Sequence, residues 1–289
     1  MTETAAKTGV GPTAMVAVEQ YFPAGQRMIS DDLACLILPF GVRMFVRLMR
    51  FVAVRDWMVR TTEKSIPGIW GSLMCRKRYI DDRLIEAIGQ IDAVVNLGAG
   101  FDTRLYRLPE LAETPAWEVD HIGNIESKRT RLQKLFGEVP AHVKLVSIDF
   151  DREQLHPVLA SCGYSLDQQT FFIWEGVTQY VTEAGIKATL DFLAGAASGS
   201  RLVFSYVLSN FINGTNLYGQ GKLYQQYVIE NKAWLSGMNP EDVEDFLKPY
   251  GWRVVEDAGY DALLEKYIKP VGRKLPSMPI ERVVYAEKL

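Results

Sequence analysis

The chain has 289 residues, 48% hydrophobic and 23% charged, an ordinary composition for a globular protein that can bury a large core. Its formal charge of -3 at pH 7 provides no field that would gather nucleic acid or an anionic membrane, so the expected partner is a small molecule. Cys35, Cys75, Cys162, His121, His142 and His156 fall in no metal-binding spacing, so we expect no metal site and a reducing, cytoplasmic setting.

Residues 1–12 are polar and lack the basic start and apolar run of a secretion signal, so they are read as a disordered lead. Four helices are expected next: over 13–21, over 31–38 with Ser30 or Asp31 as cap, after Pro39-Phe40-Gly41, and over 70–88. No apolar run reaches the length of a bilayer span. Arg43, Arg47 and Arg50 recur at spacings of four and three, which puts them on one helix face. We read that face as solvated and lying opposite Phe45, Leu48 and Phe51, with no firm evidence for a membrane.

From residue 91 the texture changes. Apolar runs suited to buried parallel strands occupy 93–97, 117–119, 143–148, 171–174 and 202–207, with helical stretches near 104–111, 123–136, 152–160 and 182–196 between them. A polar, aromatic segment spans 209–238. A helix over 240–247 follows, opened by Pro240 and closed by Gly251. Strands over 252–256 and 282–286, joined by a loop-rich return, suit an antiparallel pair at the sheet edge. The expected fold is α/β: a seven-stranded, doubly wound, mainly parallel sheet with an N-terminal helical lead and a helical cap after strand five. One domain is expected over 13–289, made of a helical cap region (13–90), a cofactor-binding core (91–207), a cap insertion (208–239) and a C-terminal helix with a β-pair (240–289).

The first strand ends in Asn96-Leu97-Gly98-Ala99-Gly100. Glycine there allows backbone angles closed to other residues and lets a ligand approach the main chain. In open α/β sheets ligands bind beyond the carboxyl ends of the strands. By itself the pair Gly98 and Gly100 also fits a plain strand-to-helix turn. Asp120 ends the second strand about 20 residues on, where a carboxylate can accept both hydroxyls of a ribose. That ribose occurs in NAD and in S-adenosylmethionine alike. The third glycine that a dinucleotide fold needs is replaced by Thr103, which favours S-adenosyl-L-methionine and moves NAD to second place. Asp149, followed by Phe150, suits an adenine amino group and ring, and Glu175 after strand four suits an ammonium or a substrate. His121 reads as a packed or solvated neighbour of Asp120. Asp102, Thr103 and Arg104 read as a capped helix start with local ion pairs.

The string from Val94 to Leu108 resembles the hallmark of the leucine carboxyl methyltransferase-like family, which includes protein phosphatase methyltransferases and tetracenomycin-type polyketide O-methyltransferases. Glu118-Val119-Asp120-His121, residues 174–180, 27–34 and 267–273 extend the likeness over nearly the whole chain. The resemblance implies a class I S-adenosylmethionine-dependent enzyme. It implies that Arg76 binds the cofactor's carboxylate, with Arg78 one register away as the neighbouring choice. It places Gly98, Ala99 and Gly100 along the methionine portion, Asp120 with His121 at the ribose, Asp149 and Phe150 at the adenine, and Glu175 at the amino-acid end. Ile122, where many relatives carry proline, departs from the pattern.

The activity expected is O-methylation of a hydroxyl or carboxylate of a small molecule in secondary metabolism. Methylation of a protein C-terminal carboxylate is the alternative, and an NAD-binding oxidoreductase or a silent nucleoside-binding protein comes after it. No base is evident. Tyr180 and Tyr206 are the candidate substrate-facing groups, and the aromatic segment after strand five is expected to shield the site. The oligomeric state is not legible from the chain.

Overall fold

The computed structural model describes residues 9–149, 152–276 and 278–289. Its strands are β1 (Ala93–Leu97), β2 (Ala116–Asp120), β3 (Val143–Ser147), β4 (Thr170–Trp174), β5 (Arg201–Val207), β6 (Trp252–Gly259) and β7 (Glu281–Lys288). They form one sheet in the order β3-β2-β1-β4-β5-β7-β6. The first five are parallel, and β7 runs antiparallel to both β5 and β6. Every residue of β1, β2 and β4 is buried, because helices cover both faces of the sheet centre. At the edges β3 and β6 alternate buried with exposed residues.

One face of the sheet is covered by α1 (Val10–Glu19) and α5 (Ile69–Ala87), with Trp70, Leu73 and Met74 packed against Val94, Phe171 and Val203. The other face carries α7 (Leu155–Ser161), α8 (Glu183–Ala194) and the segment after β5, whose Phe211, Leu223 and Trp234 join the core of β1, β4 and β5. α6 (Ile122–Phe136) links β2 to β3, while α2 (Ala34–Ile37), α3 (Phe40–Arg47) and α4 (Val52–Ser65) lie between α1 and α5 in the chain. Buried Glu19 ties the two ends of the chain together by accepting from Trp70 Nε1 at 2.9 Å and from Arg273 at 2.6 Å. Asp31 caps the second helix as expected, accepting from the amides of Leu33 and Ala34 at 3.1 and 2.8 Å. The chain order reverses between β1 and β4, so the two strands part at their carboxyl ends and leave a crevice there.

The structure corrects three expectations. The lead was drawn through residue 12, yet α1 begins at Val10; residues 1–8 lie outside the described residues. Residues 260–268 are helical rather than a plain return, because Tyr260, Leu263, Tyr267 and Ile268 are buried against α5. The antiparallel pair expected at the sheet edge is present, with β6 outermost and β7 between it and β5. Phe45, Leu48 and Phe51 do not turn inward. Val46 and Met49, with partly buried Val42, fill that inward strip, and the three larger side chains stand in solvent beside the arginines. No helix among the described residues is long and apolar enough to cross a membrane.

Candidate functional site

At the crevice Gly98 adopts φ +73° and Gly100 φ +45°, conformations that favour glycine. A Cβ on Gly98 would come within 2.3 Å of Val177 Cγ2, so the close approach of the loops after β1 and β4 also demands glycine. The Gly98 and Ala99 amides donate to Val119 O at 2.8 and 3.2 Å, holding the loop over the end of β2. Asp120 then accepts from Gly100 N at 2.7 Å through Oδ2, and from His121 N at 2.6 Å and Asn124 Nδ2 at 2.8 Å through Oδ1. Oδ2 keeps a lone pair toward the crevice.

A cavity of about 590 Å³ fills this crevice. Gly98, Ala99, Gly100, Asp120, Arg76 and Glu175 all line it. Glu175 stands among three cations: Arg76 Nε at 3.0 Å, Lys77 Nζ at 3.3 Å and Arg104 at 3.1 Å. Burial alone would raise its carboxyl, but Lys77, Arg76 and Arg104 outweigh burial and hold it at about 2. Arg76 also pairs with Glu281, and burial there is likewise overcome by Glu281 and Glu175, which raise its pKa. Arg104 is fully buried behind the cavity between Asp81, Asp102 and Glu175. Four acids (Asp102, Asp120, Glu175, Glu281) and two bases (Arg76, Lys77) line the space. The lining is therefore two charges negative.

The remaining expected residues fall elsewhere. Arg78 faces solvent and pairs with Asp82 at 2.7 Å, so Arg76 is the arginine of this helix that reaches the cavity. The His121 ring accepts from Gly123 N at 3.3 Å as a helix cap and is not among the residues that line this cavity. Asp149 lies 3.6 Å from Arg152, outside the cavity, and Phe150 falls outside the described residues. Of the two tyrosines only Tyr180 lines the space, packing edge-on to Trp234 at 6.3 Å between ring centres. Tyr206, expected to face the substrate, does not line this cavity. It is buried away from the cavity and donates to Asp257 at 2.8 Å, and burial with the Asp257 charge raises its pKa. A second cavity of about 570 Å³ lies between α7 and α8 and shares Val177 and Tyr180 with the first.

Several lining residues were not singled out as site residues in the sequence, although Asn96, Gln179 and Trp234 lie in stretches that were. Asn96 Nδ2, Gln179 Oε1 and Trp234 Nε1 are buried without a partner among the described residues, and all three residues line the cavity. Lys77 looked like one more charge on a basic helix. Gly9, Gly11 and Pro12 belong to the segment read as a lead, yet with Thr13 they close one side of the space, and Thr13 Oγ1 donates to Phe101 O at 3.3 Å. Gly9 lies against the backbone of Gly100 and Phe101 there, whereas a Cβ on Gly11 would meet open space.

Residues 9–194 match the model of the family described as leucine carboxyl methyltransferase. A protein of Mycobacterium avium that carries the provisional name of an S-adenosyl-L-methionine-dependent methyltransferase is 31% identical over 206 residues, covering 69% of this chain and 67% of its own. One of Mycolicibacterium paratuberculosis with the same name is 28% identical over 264 residues, 86% of this chain and 84% of its own. Among solved structures, a provisionally named methyltransferase from Thermobifida fusca YX superposes with a TM-score of 0.56 at 15% identity, covering 81% of this chain and 88% of that one. A DUF574 family protein from Streptomyces avermitilis gives 0.55 at 12% identity, with 82% and 91% covered. These two share the fold.

Proposed function

The chain belongs to the leucine carboxyl methyltransferase family and is an S-adenosyl-L-methionine-dependent methyltransferase, and we propose that it methylates a hydroxyl or carboxylate oxygen of a small molecule in secondary metabolism. When bound, the cofactor supplies a methyl group on a sulfonium. It carries an ammonium, a sulfonium and a carboxylate, a net charge of one positive that complements the lining. The pyrophosphate of NAD would meet a lining of its own sign. In our reading Arg76 and Lys77 hold the carboxylate, where two donors suit a bidentate acceptor. Asp120, fixed by Gly100, His121 and Asn124, takes a ribose hydroxyl through its spare lone pair. Glu175 and the free amide N–H of Asn96 face the amino-acid end.

One observation carries the acceptor assignment: Leu223, Tyr227 and Trp234, from the segment after β5, close over the same cavity as the glycine loop. A space of about 590 Å³ lies within the ordinary range for small-molecule sites. Its aromatic wall would orient a flat acceptor, and orientation supplies much of the rate in a direct displacement. Gln179 Oε1 and Trp234 Nε1 add a hydrogen-bond acceptor and a donor, which together suit an oxygen nucleophile. A carboxylate is already ionised, whereas a phenol has a pKa of about 10 and gains from a base. The test is to present methyl-labelled cofactor with phenols, small carboxylic acids and peptides ending in a free carboxylate. Label in a small product supports the assignment; mild alkali would then release methanol from an ester and leave an aryl ether intact. Label on nitrogen or carbon, or in peptides alone, would overturn it.

A further inference from the structure

The surface of α3, α4 and the turn between them is the least expected part of the molecule. Eight of the fifteen large apolar side chains exposed among the described residues fall within residues 36–57. Phe40 is 70% exposed and Trp57 59% exposed, with Met44, Phe45, Leu48 and Phe51 open between them. Buried apolar area stabilises a fold and exposed area does not, so a patch this concentrated marks a surface that meets something. Its charge is one-sided. From Leu33 to Arg55 the chain has four arginines and no Asp or Glu.

Arg43, Arg47 and Arg50 have no carboxylate partner among the described residues. They lie on the apolar groups instead: Arg43 over the Phe40 ring at 5.8 Å, Arg50 over the Phe51 ring at 4.7 Å, and Arg47 against Met44 Sδ at 3.8 Å. Aromatic and aliphatic groups flanked by unpaired guanidinium groups on a short helix are what the interface of an anionic bilayer takes up. A second copy of this chain fits poorly, because a twofold contact would set each arginine cluster against its own copy. We propose that residues 36–57 dock this protein peripherally on anionic lipid, with Phe40, Phe45, Leu48 and Phe51 in the headgroup region and Arg43, Arg47 and Arg50 on the phosphates. Thr62, further along α4, and Ile66, just past its end, line the cavity, so docking would bring one wall of the site to the membrane. The overall charge of -3 does not oppose this, since charges beyond about 10 Å are screened at 0.1 M salt.

The test is flotation with vesicles of phosphatidylcholine alone and of phosphatidylcholine mixed with phosphatidylglycerol, at low and high salt. The wild type should float with the mixed vesicles, less at high salt, and hardly at all with phosphatidylcholine alone. Replacing all three arginines (Arg43→Gln, Arg47→Gln, Arg50→Gln) should weaken partitioning by about fivefold for each, roughly a hundredfold in all. Phe45→Asp with Leu48→Asp should abolish flotation while leaving Tm and binding of S-adenosylhomocysteine unchanged. Flotation that ignores phosphatidylglycerol, or survives either set of substitutions, would overturn the proposal. So would a concentration-dependent dimer, seen by light scattering, that Phe45→Asp with Leu48→Asp dissolves.

Discussion

Glu175→Gln probes the electrostatic centre of the site while changing almost no volume. Glu175 is buried and receives Arg76, Lys77 and Arg104 at 3.0, 3.3 and 3.1 Å. Its carboxyl is lowered from the ordinary 4.5 to about 2 in the fold, where the three cations overcome the opposing effect of burial. A pKa lowered on folding adds stability that is full above the unfolded value and fades as pH falls toward the folded one. At about 1.4 kcal/mol per pH unit, the carboxylate contributes about 3 kcal/mol at pH 7 and about 2 kcal/mol at pH 3.5. The glutamine variant should therefore lose about 3 kcal/mol at neutral pH, in line with breaking a buried ion pair. The assay is urea unfolding of both proteins at pH 7 and at pH 3.5. The difference between them should shrink by about 1 kcal/mol at the lower pH. A difference below about 1 kcal/mol at pH 7, or one that does not change with pH, would refute the assignment of Glu175 as the anion that holds these three cations together.

Two further variants test the glycine loop and its acid. Asp120→Ala should weaken calorimetric binding of S-adenosylhomocysteine by roughly tenfold to a hundredfold, as expected for losing charge-assisted hydrogen bonds worth about 1.5 to 3 kcal/mol; unchanged affinity would remove Asp120 from the ribose. Gly98→Ala should lower Tm and cofactor affinity together. An alanine at φ +73° costs about 1–2 kcal/mol in backbone strain, and its Cβ meets Val177. Adding Val177→Ala should recover the part due to the clash and leave the strain, which a double-mutant cycle separates. If Gly98→Ala alone binds normally, the loop does not approach the ligand as closely as its geometry indicates.

Much of this protein is determined by local sequence. The buried strands announce themselves as short apolar runs because helices cover both faces of the sheet, and β1 lies over the residues its run marks. Gly98, Gly100 and Asp120 are legible because φ above zero and a strand-end carboxylate are demands made within one loop. What the chain conceals are relations between distant residues. Lys77 and Glu175 are 98 residues apart, and only the packing of α5 across β4 makes them a pair. Asn96, Gln179 and Trp234 are ordinary polar and aromatic residues until three separate segments turn their unpaired atoms into one space. Tyr206 shows the converse, since the sequence offers it as a substrate-facing group and the fold turns its hydroxyl to Asp257. The apolar surface of α3 was decided in the same way. A helical pattern states which residues share a face, and the neighbours that pack against the helix decide which face is covered. Here Val46 and Met49 take the inward side, and Phe45, Leu48 and Phe51 are left with the arginines outside.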